Sequence, residues 1–263
     1  MNRSQTTFVD SHVHLDLVYR YQPDRIEWYR QVGCLPVSWA FAEHVHNVAD
    51  LKSILNKQRE TIHELREGGL DCFYLTGIHP RNIPPDLIPE KIEKILLPFL
   101  EDPVCLGIGE IGLELASRQE KEIFAAQLEM APQICPHNKI LGVHTPRDDK
   151  ARVTGEVLSI LKEFKAWHHS IVVDHCLPDT IAGILEDGFW AGITLSIGKA
   201  SFEDLNQIVK DHPNRIERMM LNTDSGIKFS EDLYRLYFSQ PYPADIQTRL
   251  YRENALEFFG IQP

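Results

Sequence analysis

Short runs of β-branched and aromatic residues alternate along the chain with longer stretches of helical periodicity. Eight apolar runs stand out: Phe8–His14, Pro36–Phe41, Cys72–Ile78, Val104–Gly109, Ile140–His144, Ile171–His175, Phe189–Leu195 and Met219–Asn222. Their length and composition predict strands. The intervening segments "HNVADLKSILNKQRETIHELREGG", "SRQEKEIFAAQLEMAPQI" and "DDKARVTGEVLSILKEF" place apolar residues three and four apart, which predicts helices, with Gly68-Gly69 closing the first. Eight β-then-α units in 263 residues match the size of a single (β/α)₈ barrel, an α/β fold in which residues 1–263 form one domain. A doubly wound open sheet is the alternative. Against it, no Gly-rich phosphate fingerprint follows the first strand, which ends in His-x-His instead. There is no obvious linker or internal repeat, and "RNIPPDLIPE" reads as a loop entering a helix.

The first run, "VDSHVHLD", carries His12 and His14 two positions apart. Strand alternation would aim both imidazoles the same way, with Asp10 below them and Val9, Val13 and Leu15 facing the other side. That spacing suits chelation without proving it. The other runs add weight, because chemistry in such barrels sits at the C-terminal ends of the strands. His12 and His14 end the first run, Glu110 ends "VCLGIGE", His144 ends "ILGVH", His175 ends "IVVDH" and Asp224 follows "MMLNTD". Ligand-type residues from distant parts of the sequence would therefore converge on one mouth. A set of imidazoles and carboxylates suits Zn²⁺, Mn²⁺, Fe²⁺ or Co²⁺, whereas a dedicated Mg²⁺ site would be all oxygen. Glu110 could bridge two ions, with His12, His14 and Asp224 completing one and His144 and His175 the other. Asp224 is placed to orient a water made acidic by such ions and to accept its proton.

Composition narrows the picture. The net charge is −11, with 27 Lys and Arg against 38 Asp and Glu, and no basic stripe with interleaved aromatics is present. Long-range repulsion of polyanions argues against avid duplex binding, although bound cations could reverse the field locally. No run is long enough for a membrane helix, and "MNRSQTTFVD" lacks a secretory apolar stretch. A soluble cytoplasmic protein is expected. Its cysteines, Cys34, Cys72, Cys105, Cys135 and Cys176, form no CxxC pair and read as reduced, mostly buried thiols.

Several segments in order, "FVDSHVHLD", "GIHP", "GIGEIGLE", "FAAQLEMAPQICPHNKILGVHTPR", "IVVDHC…ILEDGFWAGIT", "NTDSG" and "RENALEFFGI", together resemble the TatD-related metal-dependent hydrolases, a branch of the amidohydrolase superfamily. The resemblance runs from about residue 7 to residue 261. It implies a (β/α)₈ barrel that hydrolyses its substrate with one or two divalent ions, among them Zn²⁺, Mn²⁺, Fe²⁺ or Mg²⁺. By matching motif, His12, His14, Glu110, His144, His175 and Asp224 take the family's metal and catalytic roles. His79 in "GIHP" matches a histidine that lines the site and would bind a phosphate or other oxyanion, and Arg147 would serve the same end. The substrate would be single-stranded nucleic acid, cut as a phosphodiester, or a small molecule carrying an ester, lactone, amide or phosphoester. A binding module without catalysis is disfavoured by the full ligand set.

The chain departs from the family pattern in places. Asn222 stands where a Glu is common, Glu114 where an Asp is, and Cys176-Leu177-Pro178 where a Phe-Ser-Gly turn is usual; "SGIKFS" replaces a proline-bearing stretch. These changes bear on substrate more than on the ions. The long first connection carries Tyr19, Tyr21, Trp28 and Tyr29, which either pack or overhang the site, with packing favoured. His44 and His46 repeat the His-x-His pattern as possible substrate contacts. His63, His137, His168, His169 and His212 are expected at the surface.

Overall fold

The computed structural model describes residues 6–42 and 44–262, so the start of the segment read above for a secretory signal lies outside the described residues. Eight parallel strands lie in the order of the chain: β1 (Phe8–Val13), β2 (Cys34–Ser38), β3 (Phe73–Thr76), β4 (Cys105–Gly112), β5 (Ile140–His144), β6 (Ile171–Val173), β7 (Trp190–Thr194) and β8 (Met219–Asn222). Each is followed by helix. The end of β8 returns to β1 through backbone bonds from Asp224 to His12, 2.9 Å, and from His14 to Ser225, 2.7 Å, giving the expected (β/α)₈ barrel. Among the described residues no helix is long and apolar enough to cross a membrane.

Local chemistry accounts for the helices. Val48–Glu67 starts on Asn47, whose side chain accepts from the Asp50 amide, and Phe202–Asp211 starts in a capping box between Ser201 and Asp204. Two apolar layers hold the barrel. Alternate strand residues such as Phe8, Val13, Ile108 and Val143 face the helices. Val9, Leu35, Leu75, Ile140, Val172 and Met220 fill the interior. The last helix, Asn254–Phe259, adds Leu256, Phe258 and Phe259 to the interior cluster and so packs against the filling of the barrel. Burial of each such large apolar side chain contributes about 1.5–3 kcal/mol.

The strand boundaries differ from the apolar runs at informative places. The second strand begins at Cys34 and ends at Ser38, earlier than Pro36–Phe41, because Cys34 pairs with Phe8. Alternation also fails in β1. Asp10 pairs with Pro36 and Val13 with Ser38, so β1 carries one more residue than its partner over that stretch. This bulge reverses the faces: Val9 lies inside the barrel, whereas Asp10 accepts hydrogen bonds from Thr223 and from Tyr234 in the helix Asp232–Ser239. Asp10 therefore does not sit below the two imidazoles as strict alternation predicts. Its burial pushes the carboxyl up to about 6, against those hydrogen bonds.

The first connection forms two helices, Leu15–Tyr21 and Asp24–Val32, the second ending on Gly33 in the left-handed region, φ 66°. Its aromatics mostly pack: Tyr29 is buried, Trp28 meets Tyr29, Phe229 and Tyr234, and Tyr19 donates to Glu64. None of them lines the mouth described below. His44 and His46 are exposed. Of the histidines expected at the surface, His137 and His169 are exposed, His168 and His212 half-buried, and His63 is tied to Asp102. All five cysteines are buried and unpaired.

Candidate metal centre

Glu110, near the end of β4, is the hub on which the strand ends converge. Its Oε2 lies 3.4 Å from His12 Nε2 and 3.7 Å from His14 Nε2. Its Oε1 lies 2.6 Å from His144 Nδ1, 3.2 Å from His175 Nε2 and 3.6 Å from His79 Nε2. Asp224 completes the ring, with Oδ1 2.9 Å from His14 Nε2 and 3.7 Å from His12 Nε2. The six ligand-type residues singled out in the sequence, and His79, thus meet in one buried cluster. Arg147 stands at its rim, lining with His14, Glu110, His175 and Asp224 a cavity of about 210 Å³.

Hydrogen bonds at the far side of each ring decide which nitrogen is offered to the centre. His12 Nδ1 is 2.5 Å from Asp174 Oδ2, and a carboxylate only accepts, so the lone pair of His12 is on Nε2. That Nε2 is buried without a hydrogen-bond partner. His14 Nδ1 faces the Trp39 carbonyl at 3.0 Å, which likewise leaves Nε2 as the lone-pair nitrogen. His79 is the opposite case: its Nδ1 accepts from the Arg81 amide at 3.0 Å, so a neutral ring carries its proton on Nε2. Burial lowers His79 to about 4 and keeps it neutral. His79 could stand with Glu110 and His144 around an ion by distance alone, yet in this tautomer it presents a donor rather than a ligand.

The charges fit a cation. Burial opposes ionisation of Glu110, but His79, His12 and His144 outweigh it and hold the carboxyl well below its usual range. Burial also opposes the imidazolium of His12, yet Glu110 and Asp174 raise it to about 10. Without positive charge in the centre, these carboxylates draw a proton onto His12. A buried imidazole nitrogen without a partner, aimed at a carboxylate that gathers several imidazoles, suits a divalent ion with nitrogen and oxygen ligands.

Other residues hold the cluster in shape, and the sequence reading did not single them out for these roles. The Trp39 ring stacks on His12 at 4.1 Å between centroids and 11° between planes, and its Nε1 donates to the Ser11 carbonyl. A Cβ on Gly142 would come within 2.6 Å of the Trp39 ring, which explains a glycine there. Asp174 was hidden by the alternation rule, which would aim it away from His175. The strand ends at Val173 and His175 takes a left-handed φ of 62°, so both side chains reach the centre. Glu114 meets His144 Nε2 at 2.8 Å, and its loop is held by the Glu120 carboxylate, which accepts from the amides of Glu114, Leu115 and Ala116. Lys199 lies in a loop without a periodic signal, its Nζ 2.5 Å from Asp224 Oδ2. Burial raises the Asp224 carboxyl, but Lys199 and His14 hold it well below its ordinary value.

Known proteins with similar sequences and folds agree with this architecture. A family profile described as "TatD related DNase" matches residues 9–227. A protein described as an uncharacterized metal-dependent hydrolase of Methanocaldococcus jannaschii is 27% identical over 179 residues, spanning 68% of this chain and 67% of that protein. The crystal structure of a TatD-like protein from Archaeoglobus fulgidus is similar with a TM-score of 0.78 at 28% identity, covering 97% of this chain and 100% of that one. A beta-aspartyl dipeptidase from Fervidobacterium islandicum shares the fold at a TM-score of 0.66 and 12% identity, over 97% of this chain and 72% of its own.

Proposed function

Because this chain belongs to the TatD-related DNase family and is a metal-dependent hydrolase, we propose that it cleaves a phosphodiester or related ester bond in an anionic substrate. The observation that carries this reading is the clustering of four cationic side chains, Arg81, Arg147, Lys199 and Lys228, around the mouth that holds Glu110 and Asp224, in a chain whose net charge is −11. His12, His14, Glu110, His144, His175 and Asp224 would hold one or two divalent ions, Zn²⁺, Mn²⁺, Fe²⁺ or Mg²⁺. Such an ion supplies a Lewis acid and makes water acidic enough to attack near neutral pH. Asp224, ionised beside Lys199 and His14, would orient the attacking water and take its proton. His79 would donate from Nε2 to a substrate oxygen, and Arg147 would pair with its charge. The buried, unpaired cysteines support a reducing, cytoplasmic setting for a single hydrolase domain.

A second reading, a hydrolase of small esters, lactones or amides, is favoured by the size of the mouth, about 210 Å³, which is less than the roughly 300–1,000 Å³ of typical drug-sized ligand sites. Metal-stripped protein reconstituted with Mn²⁺, Zn²⁺ or Mg²⁺ and assayed on single-stranded DNA and on a panel of small phosphodiesters, esters and lactones separates the two. Cleavage of DNA or phosphodiesters supports the first reading and cleavage of neutral esters alone the second. Background rates on every substrate with every ion would overturn both.

A further inference from the structure

Behind the cluster runs a buried chain of hydrogen bonds that joins two of its imidazoles. His12 Nδ1 meets Asp174 Oδ2 at 2.5 Å. Asp174 Oδ1 accepts from Asn222 Nδ2 at 2.8 Å, Asn222 Oδ1 accepts from the Thr194 hydroxyl at 2.8 Å, and the Thr194 oxygen meets His175 Nδ1 at 2.7 Å. Asp174, Thr194 and Asn222 are all buried.

Donor and acceptor chemistry fixes every proton in this chain. An ionised Asp174 can only accept, so Asn222 must turn its NH₂ toward it and its carbonyl toward Thr194. Thr194 has one proton and gives it to that carbonyl, so toward His175 it can only accept, and His175 carries its proton on Nδ1. Both His12 and His175 are thereby left with their lone pairs on Nε2, the nitrogens that lie 3.4 and 3.2 Å from the Glu110 carboxylate. The Lys199 ammonium stands 2.9 Å from His175 Nδ1 and 3.0 Å from Nε2; it can only donate, so in this order it pairs with the Nε2 lone pair and makes no hydrogen bond to the protonated Nδ1.

We propose that Asn222 is a positioning residue for metal uptake: it holds Asp174, which fixes the tautomer of His12, and through Thr194 carries the same order to His175. The inference rests on the metal-dependent reading of the cluster. An aspartate has the shape of Asn222 but no donor for Asp174, so it would set two carboxylates face to face and break the order at its centre. Thr194→Val would break it at the His175 end, whereas Thr194→Ser keeps the hydroxyl.

The test is titration of metal-stripped protein with Mn²⁺ against a chelating dye and with Co²⁺ followed by its visible absorption bands, with the melting temperature of the metal-free proteins as the control for folding. Asn222→Asp should bind Mn²⁺ about 10–100-fold more weakly than the parent and change the Co²⁺ spectrum. Thr194→Val should weaken binding while Thr194→Ser stays within about twofold of the parent, and the Asn222→Asp/Thr194→Val double variant should be no worse than Asn222→Asp alone, since the chain is already cut. Parent-like affinity in Asn222→Asp, equal losses in the Val and Ser variants, or additive losses would overturn the inference while leaving the metal reading intact. Should Asn222→Asp not fold, the Val and Ser pair decides alone. Failure of the parent protein to bind either ion would instead overturn the metal reading, and the inference with it.

Discussion

His12 Nδ1 lies 2.5 Å from a carboxylate oxygen of Asp174, 162 positions away in the sequence. The imidazole that opens the chain's chemistry is thus aimed by a residue two-thirds of the way along it. Gly192 supplies the space: a Cβ there would stand 2.2 Å from Asp174 Oδ1. We expect Gly192→Ala to displace Asp174, to destabilise the fold by roughly 1–3 kcal/mol and to weaken Mn²⁺ binding. Urea denaturation and metal titration measure the two effects, and unchanged metal affinity would show that Asp174 does not need this position.

Asp224→Asn should abolish turnover, with a loss of at least about 100-fold in kcat, while the melting temperature and at least one bound divalent ion are retained. The assay is steady-state hydrolysis of whichever substrate the reconstituted protein accepts, with metal content measured on the same sample. Parent-like kcat would remove Asp224 from its assigned part.

Lys199 places its ammonium 2.5 Å from Asp224, within the space between that carboxylate and His175. The ammonium pairs with that carboxylate, but a divalent ion held at the same place would be repelled by it, by several kcal/mol even at an effective dielectric of about 20. Lys199→Met should therefore take up Mn²⁺ more tightly, by roughly tenfold, and calorimetric titration would read it. Weaker binding would mean that the ammonium's main effect is to hold Asp224 in place.

Stripping with a chelator should lower thermal stability. Restoring an ion to about 100 times its Kd should add about 2.7 kcal/mol, a rise in Tm of roughly 5–10 °C for a chain of this size. Differential scanning calorimetry with and without Mn²⁺ or Zn²⁺ checks it, and an unmoved Tm would argue against binding to the native state.

Away from the centre, Asp102 accepts from His63, Tyr74 and the Val104 amide. Burial raises its carboxyl, but these bonds outweigh burial and lower it. A lowered carboxyl stabilises the native state above its unfolded pKa, and the contribution disappears as pH falls through the folded value. Asp102→Asn should then cost roughly 1–2 kcal/mol at pH 7, and its difference from the parent should shrink below about pH 4. Urea melts at both pH values measure this; a gap that widens on acidification would reverse the sign of the argument.

Much of this was legible in the sequence because barrel chemistry collects at strand ends, and strand ends show as apolar runs closing on His, Glu or Asp. Ile140–His144 and Met219–Asn222 match their strands to the residue. What escaped depends on departures from periodicity. The bulge in β1 exchanged the faces of Val9 and Asp10, and the left-handed turn at His175 brought Asp174 inward. Lys199 acts from a loop, where no period predicts direction, and Trp39, inside the apolar run Pro36–Phe41, stands just past the end of β2 at Ser38. Asn222 read as a charge lost; beside Asp174 it is the neutral partner that a buried carboxylate requires.

The seam between β8 and β1 has a consequence for synthesis. His12 and His14 emerge from the ribosome early, but Asp224 and Ser225, which bond to their backbone, come more than two hundred residues later. A growing chain therefore cannot assemble the full cluster until β8 is made, and a truncated product ending before β8 would carry these histidines without Asp224 beside them.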